Sequence, residues 1–391
     1  MRRFSSQFLF TNNGPILRRG VITVQDDGTI SDVVDTGGGL REGQSIEFHN
    51  GIIIPGFVNC HCHLELSHLK GAMPPGKGLG SFISELKTAR SSSPENIIHA
   101  VESEDNSMYR GGISVCADIC NTTDTIEAKK NSRIKYINLM EVFGIEPSRA
   151  AKRIDEVKDL ANSFEKAGLE NYIVPHSSYS VSLPLFRRIR EISGRNKVTS
   201  IHFMEAKGEK ELLNRHDGEL IEFYRKSGLL QGEPDTAANH AEVVLNEVTR
   251  SGNLILVHNT FTDEITIEKV ESRKNLFWCL CPNSNLYIEQ ALPPLKLLME
   301  KDCSIVIGTD SLASNTRLSI HEELKTLQLN FPEIPLQTLV EWSSLNGAKA
   351  LCVEKEYGSI EPGKKPGLLL IENADLHNLK LTAESSVVRL V

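Results

Sequence analysis

Residues 52–63 read Ile52-Ile53-Ile54-Pro55-Gly56-Phe57-Val58-Asn59-Cys60-His61-Cys62-His63, an apolar run that ends in two histidines one residue apart. Alternate side chains of a β-strand share a face, so His61 and His63 are expected to point to the same side, close enough to grip one metal ion. Cys60 and Cys62 then face the other way. The C-x-x-C spacing of thiolate sites is absent, which weighs against the cysteines as ligands.

Outward from this stretch, apolar runs of strand length alternate with segments of helical periodicity. The runs are 52–58, Ile113–Asp118, Ile134–Met140, Tyr172–Pro175, Val198–Phe203, Leu254–Val257, Leu276–Leu280 and Ser304–Gly308. Between them Ser148–Gly168, Pro234–Gly252 and Ile320–Leu329 carry helical periodicity, the first with a glycine stop. Eight buried strands separated by helices predict an α/β fold of the (β/α)8 TIM-barrel type over residues 51–354. Residues 1–50 read as short strands at Phe8–Phe10, Gly20–Val24 and Ile30–Val34, with too little apolar mass to stand alone. β-like patterning returns at Tyr357–Gly363, Gly367–Ile371 and Val387–Val391. The economical arrangement is a small β-sandwich domain built from both chain ends, 1–50 plus 355–391.

With 40% hydrophobic and 24% charged residues, the 391-residue chain has the composition of an ordinary soluble protein able to bury a large core. A net charge of −8 and a pI near 5.9 give no field that attracts a phosphate backbone, which excludes nucleic acid as an expected partner. No segment approaches membrane-span length, and the start Met1–Phe10 is too interrupted for a signal peptide, so no membrane association is expected. The eight cysteines lie inside apolar runs and read as reduced thiols, hence a cytoplasmic setting. A homodimer is the default expectation for oligomeric state.

In a barrel of this type functional side chains gather at the C-terminal ends of strands. His61 and His63 end the first run, His176 follows the fourth, His202 lies near the end of the fifth with Glu205 three residues on, His258 ends the sixth, and Asp310 ends the eighth. A lone strand histidine is more often a hydrogen-bonded structural residue, and an aspartate followed by Ser311 and Ser314 can be only a helix N-cap. Their joint placement on strands one, five and eight favours a metal site of His61, His63, His202 and Asp310. Three imidazoles and one carboxylate suit Zn2+, with Fe2+ as the alternative, and leave a position open for water. His99, His216, His240, His321 and His377 lie in helical or loop segments and read as solvated.

The stretch Pro55–His63 resembles the Pro-Gly-hydrophobic-hydrophobic-Asn-x-His-x-His signature of the amidohydrolase superfamily. Pro175-His176-Ser177-Ser178-Tyr179-Ser180, His202-Phe203-Met204-Glu205, Cys281-Pro282-Asn283-Ser284-Asn285-Leu286 and Gly308–Asn315 are similar to motifs of its aminohydrolase branch, and Gly358–Lys364 to the family's return into its β-sandwich. The branch includes S-adenosylhomocysteine, guanine, cytosine and aminodeoxyfutalosine deaminases and triazine chlorohydrolases. Binuclear members bridge two ions with a lysine on strand four. The fourth run here has none, so the resemblance implies a single metal ion. His63-Leu64-Glu65-Leu66-Ser67 resembles the His-Leu-Glu-aromatic-Ser of aminodeoxyfutalosine deaminases, with Leu66 in place of the aromatic residue.

The expected activity is metal-dependent hydrolytic deamination of an aminated heterocycle, an adenine-type nucleoside such as aminodeoxyfutalosine, with water as co-substrate and ammonia as product. Glu205 is expected to carry a proton to the ring nitrogen, Asp310 to take one from water, and His258 to orient the attacking oxygen. Glu65, His176, Ser311 and Asn285 are the candidate substrate contacts. Alternatives are a chlorohydrolase or cyclic-amide hydrolase at the same metal, or a catalytically silent binding relative.

Overall fold

The structure, a computed structural model, describes residues 1–40 and 45–391. Residues 41–44, which fall within the first domain range, lie outside the described residues.

Ile52, Ile53 and Ile54 explain why their run is apolar on both faces. They lie in β5 (Ile46–Pro55), which follows β1 (Arg2–Leu9), β2 (Leu17–Arg18), β3 (Val21–Val24) and β4 (Ile30–Val34). Ile53 packs with Phe4, Leu9 and Ile22 in the core of the small sheet, whereas Ile52 and Ile54 turn to the larger core shared with the barrel. The apolar run 52–58 is therefore not one barrel strand. It is divided at Gly56, and only its second half enters the barrel.

The barrel strands are β6 (Phe57–Cys62), β7 (Ile113–Cys120), β8 (Lys135–Val142), β9 (Asn171–Pro175), β10 (Val198–Phe203), β11 (Asn253–His258), β12 (Leu276–Leu280) and β13 (Ile305–Ile307). They form two parallel four-stranded sheets, β6-β7-β8-β9 and β10-β11-β12-β13. Isolated bridges Ser177–His202 and Cys62–Asp310 join the sheet edges. Inward residues Val58, Ala117, Leu139, Val174, Val198, Val257 and Val306 form one apolar cluster. Their neighbours, among them Met140, Phe203, Leu256, Leu280 and Ile307, pack outward with helix residues such as Ile154, Val157 and Leu324. This period of two, apolar on both faces, is what parallel strands covered by helices require. β14 (Leu368–Glu372) and β15 (Ser386–Arg389) complete the small sheet in the order β15-β14-β5-β1-β3-β4, with β2 against β1.

The helix expected over 148–168 spans Ala150–Lys166 and stops at Gly168, whose φ of +74° suits the glycine. That expected over 320–329 spans Ile320–Asn330. Pro234–Gly252 does not form one helix: a short α-turn at His240–Glu242 runs into a π-helical segment at Val243–Glu247. Tyr357–Gly363 forms turns rather than a strand, yet Ile360 N–H donates to Thr11 O and Gly363 N–H to Ile30 O, so it still binds the small sheet. Among the described residues no helix is long and apolar enough to cross a membrane. All eight cysteines are free thiols and six are buried.

Gly308 leaves room for the first strand at the barrel closure. A Cβ there would lie 2.8 Å from His61 Cβ, 2.9 Å from Cys279 Sγ and 3.0 Å from Cys281 Sγ. Gly308→Ala is therefore expected to lower the urea unfolding free energy by about 1–3 kcal/mol, as overpacking does, and a variant with the wild-type midpoint would show that the closure has slack.

Candidate active site

Both sheet edges meet through the backbone of histidines. At one seam the carbonyl of His61 accepts from Thr309 N–H at 2.9 Å and Asp310 N–H at 3.1 Å. At the other, the carbonyl of His176 accepts from His202 N–H at 2.8 Å and again from His202 Nδ1 at 2.8 Å. The second bond places the His202 proton on Nδ1 and leaves Nε2 with a free lone pair.

The side chains converge accordingly. One ring nitrogen from each of His61, His63 and His202 lies within 4.8 Å of the others. His61 Nε2 and His63 Nε2 are 3.2 Å apart, and Asp310 Oδ1 stands 3.7 and 3.5 Å from them. Asp310 Oδ2 accepts from Ser284 Oγ at 2.6 Å and Ser314 Oγ at 2.7 Å, so the other oxygen is turned to the imidazoles. Asp310 is thus held by two hydroxyls and does not serve as a helix cap.

Burial lowers the pKa of His61 and drives those of His63 and His202 well down, keeping the rings neutral. Burial alone would raise Asp310, but His61, His63 and His258 around it hold it well below the usual carboxylate range. Neutral imidazoles with facing lone pairs and one ionised oxygen are the donor set a divalent cation needs. The residues fit a metal ion.

Beside this set sits Glu205, whose Oε2 accepts from Tyr179 Oη at 3.2 Å and whose Oε1 is 3.6 Å from His258 Nε2. Burial pushes its carboxyl up to about 7. His258 has φ +75° at the end of β11, and its Nδ1 donates to Asn285 Oδ1 at 2.8 Å, which aims Nε2 at Glu205. Desolvation opposes protonation of His258, but Glu205, Asp310 and Asn285 raise its pKa overall. Asn285 thus orients His258.

A cavity of about 370 Å³ opens over these groups, lined by His63, Glu65, His176, His202, Glu205, Asp310 and Ser311 on one side and by Leu79, Phe82, Ile83, Leu86, Phe223 and Leu229 on another. Glu65 reaches it with its carboxylate already engaged: one oxygen pairs with Arg90, the other accepts from Asn121 N–H at 2.8 Å and Thr122 N–H at 3.0 Å. His176 Nδ1 is 2.8 Å from Ser180 Oγ, and burial lowers its pKa to about 4.

Two histidines read as solvated are buried instead. His240 Nε2 lies 3.0 Å from Glu209 Oε2 and His321 Nε2 lies 3.0 Å from Ser385 O, because each helix turns its imidazole inward onto an acceptor. Glu209 is itself a residue the sequence did not single out. Its Oε1 accepts from Glu205 N–H at 2.6 Å and Ala206 N–H at 3.0 Å, fixing the loop that carries Glu205. Glu141 was equally missed, although it follows Met140 with the inward parity of Ile137 and Leu139. A polar residue one step beyond an apolar run was the available signal.

The amidohydrolase family profile matches residues 52–389. Adenosine deaminase of Helicobacter pylori is 26% identical over 360 residues, covering 88% of this chain and 83% of that protein. The crystal structure of Helicobacter pylori aminofutalosine deaminase in complex with methylthio-coformycin matches with a TM-score of 0.77 at 22% identity, covering 95% of this chain and 92% of that one. The crystal structure of an adenosine deaminase from Xanthomonas campestris with bound zinc matches with a TM-score of 0.68 at 19% identity, covering 96% and 85%.

Removing both hydroxyls that orient Asp310, as Ser284→Ala with Ser314→Ala, is expected to weaken Zn2+ binding roughly 10–100-fold in a competitive chelator titration. Unchanged affinity would show that the carboxylate needs no such support.

Proposed function

This chain belongs to the amidohydrolase family, and from that premise we propose that it is a metal-dependent hydrolytic deaminase releasing ammonia from an adenine-type nucleoside. The observation that carries the reading is Glu205: a buried carboxyl, pushed up to about 7, placed between a cation-ready ligand set and a cavity. Such a group can hold a proton near neutral pH and pass it on.

His61, His63, His202 and Asp310 would hold one divalent ion, Zn2+ or alternatively Fe2+. The ion, when bound, supplies the Lewis acidity that brings the pKa of water toward neutrality. Asp310 accepts a proton from the attacking water, and His258, fixed by Asn285, orients its oxygen. Glu205 delivers a proton to the ring nitrogen beside the attacked carbon, because addition to an aromatic amidine is unfavourable unless that nitrogen is neutralised as charge develops. The exocyclic nitrogen then takes up the proton held by Asp310 and leaves as ammonia, while the added hydroxyl returns a proton to Glu205. Tyr179 keeps the Glu205 carboxyl in place.

The relatives named adenosine deaminase and aminofutalosine deaminase support an adenine-type ring. The apolar wall of Leu79, Phe82, Ile83 and Leu86 leaves space for a substituent beyond the sugar, which favours 5′-substituted nucleosides of the aminodeoxyfutalosine kind over adenosine alone. His176 and Ser311, which line the cavity, are proposed substrate contacts, with Glu65 and Asn285 in supporting positions. Displacement of chloride or opening of a ring amide would use the same water and does not in every case require an acid poised as Glu205 is; the relative named adenosine deaminase favours deamination.

Glu205→Gln is expected to keep its zinc by elemental analysis while ammonia release falls roughly 10²–10⁴-fold. Wild-type turnover in that variant, or no ammonia from any of a panel of adenine nucleosides with zinc-loaded protein, would overturn the reading.

A further inference from the structure

Glu141 brings a carboxyl to the active site that none of the steps above uses. It lies near the end of β8, and its side chain is 4% exposed. Asn121 Nδ2 donates to its Oε2 at 3.1 Å. Its Oε1 is buried with no hydrogen-bond donor, yet Glu141 lines the cavity. The nearest candidates cannot serve it. His202 Nδ1 is 3.5 Å away but commits its proton to His176 O, and His176 Nε2 is 4.0 Å away.

Glu65 is the contrasting case, since both its oxygens have partners within the chain. Buried acceptors are rarely left unpaired, and a carboxylate on a residue that lines a cavity is within reach of a donor that enters it. A second cation is a poorer occupant. With His202 Nδ1 engaged, and His176 Nδ1 turned to Ser180, only one carboxylate oxygen and one imidazole nitrogen remain, short of a ligand shell.

The rings of His176, His202 and His258 stack in a row, with centroids 4.6 Å apart for the first pair and 5.3 Å for the second. Glu205 stands beside His258, and Glu141 beside His202 and His176. We propose that Glu141 is a specificity-determining residue whose Oε1 accepts a hydrogen bond from a sugar hydroxyl of the nucleoside substrate. A nucleoside whose heterocycle reaches Glu205 extends its sugar toward Glu141, and only a substrate carrying that hydroxyl satisfies the carboxylate. Free bases and sugars lacking the hydroxyl leave it unpaired and are selected against. This assignment rests on the deaminase reading.

The test compares wild type, Glu141→Gln and Glu141→Ala, each zinc-loaded and checked for equal metal content. The substrates are adenosine and 5′-methylthioadenosine with their 2′-deoxy and 3′-deoxy forms. Both variants should lose roughly 10–100-fold in kcat/KM on the full nucleoside, as loss of a charge-assisted hydrogen bond implies. On one of the deoxy forms they should match wild type, because that form lacks the bonded hydroxyl. Equal losses on all forms, or reduced zinc content, would overturn the assignment by showing that Glu141 only supports His176 and His202. A wild-type protein inactive on every nucleoside would instead overturn the deaminase reading, and this one with it.

Discussion

The interaction on which the rest depends is the pair of backbone bonds from Thr309 and Asp310 to the carbonyl of His61. Strands one and eight share no regular ladder, so these bonds do much of the closing there. They also set the distance between the residues that would bind the ion. The second seam repeats the device, with His176 O holding both the backbone and the ring of His202. Closure of the barrel and assembly of the site are therefore one geometric event. A change that opens a seam, such as a side chain at Gly308, acts on both together.

Around the seams, three further buried carboxylates hold loops. Glu209 accepts from the backbone of Glu205 and Ala206, from Ser178 Oγ at 2.9 Å and from His240 at 3.0 Å. Glu323 accepts from Asn283 N–H at 2.8 Å and Asn315 Nδ2 at 2.7 Å, and burial pushes its carboxyl up to about 8. Glu65 does the same for residues 121 and 122. A carboxylate offers several lone pairs from one side chain, which suits it to gather backbone N–H groups where strands break off into irregular loops.

The small sheet is held to the barrel both by burial and by hydrogen bonds, such as those from Arg389 Nη2 to Ile113 O at 3.0 Å and from Ser114 Oγ to Pro366 O at 2.9 Å. β5 is apolar on both faces because one face closes the small core and the other joins the barrel's outer layer. Gly56 then lets the chain pass between them, since a Cβ there would meet Pro366 O at 2.4 Å and Ser114 Oγ at 2.0 Å.

The sequence by itself determined the periodicity of eight buried strands and the residues that end them, because strand alternation and the position after an apolar run are local properties of the chain. His61, His63, His202, Glu205, His258 and Asp310 were legible for that reason. The tertiary structure decided what depends on partners far away in the chain. It split the isoleucine run between two sheets, since burial on both faces looks the same for either sheet. It buried His240 and His321, whose acceptors are 31 and 64 residues distant. It also engaged Glu65 and left one oxygen of Glu141 open, a distinction set by which N–H groups the fold brings within reach, and residue type alone carries no record of that.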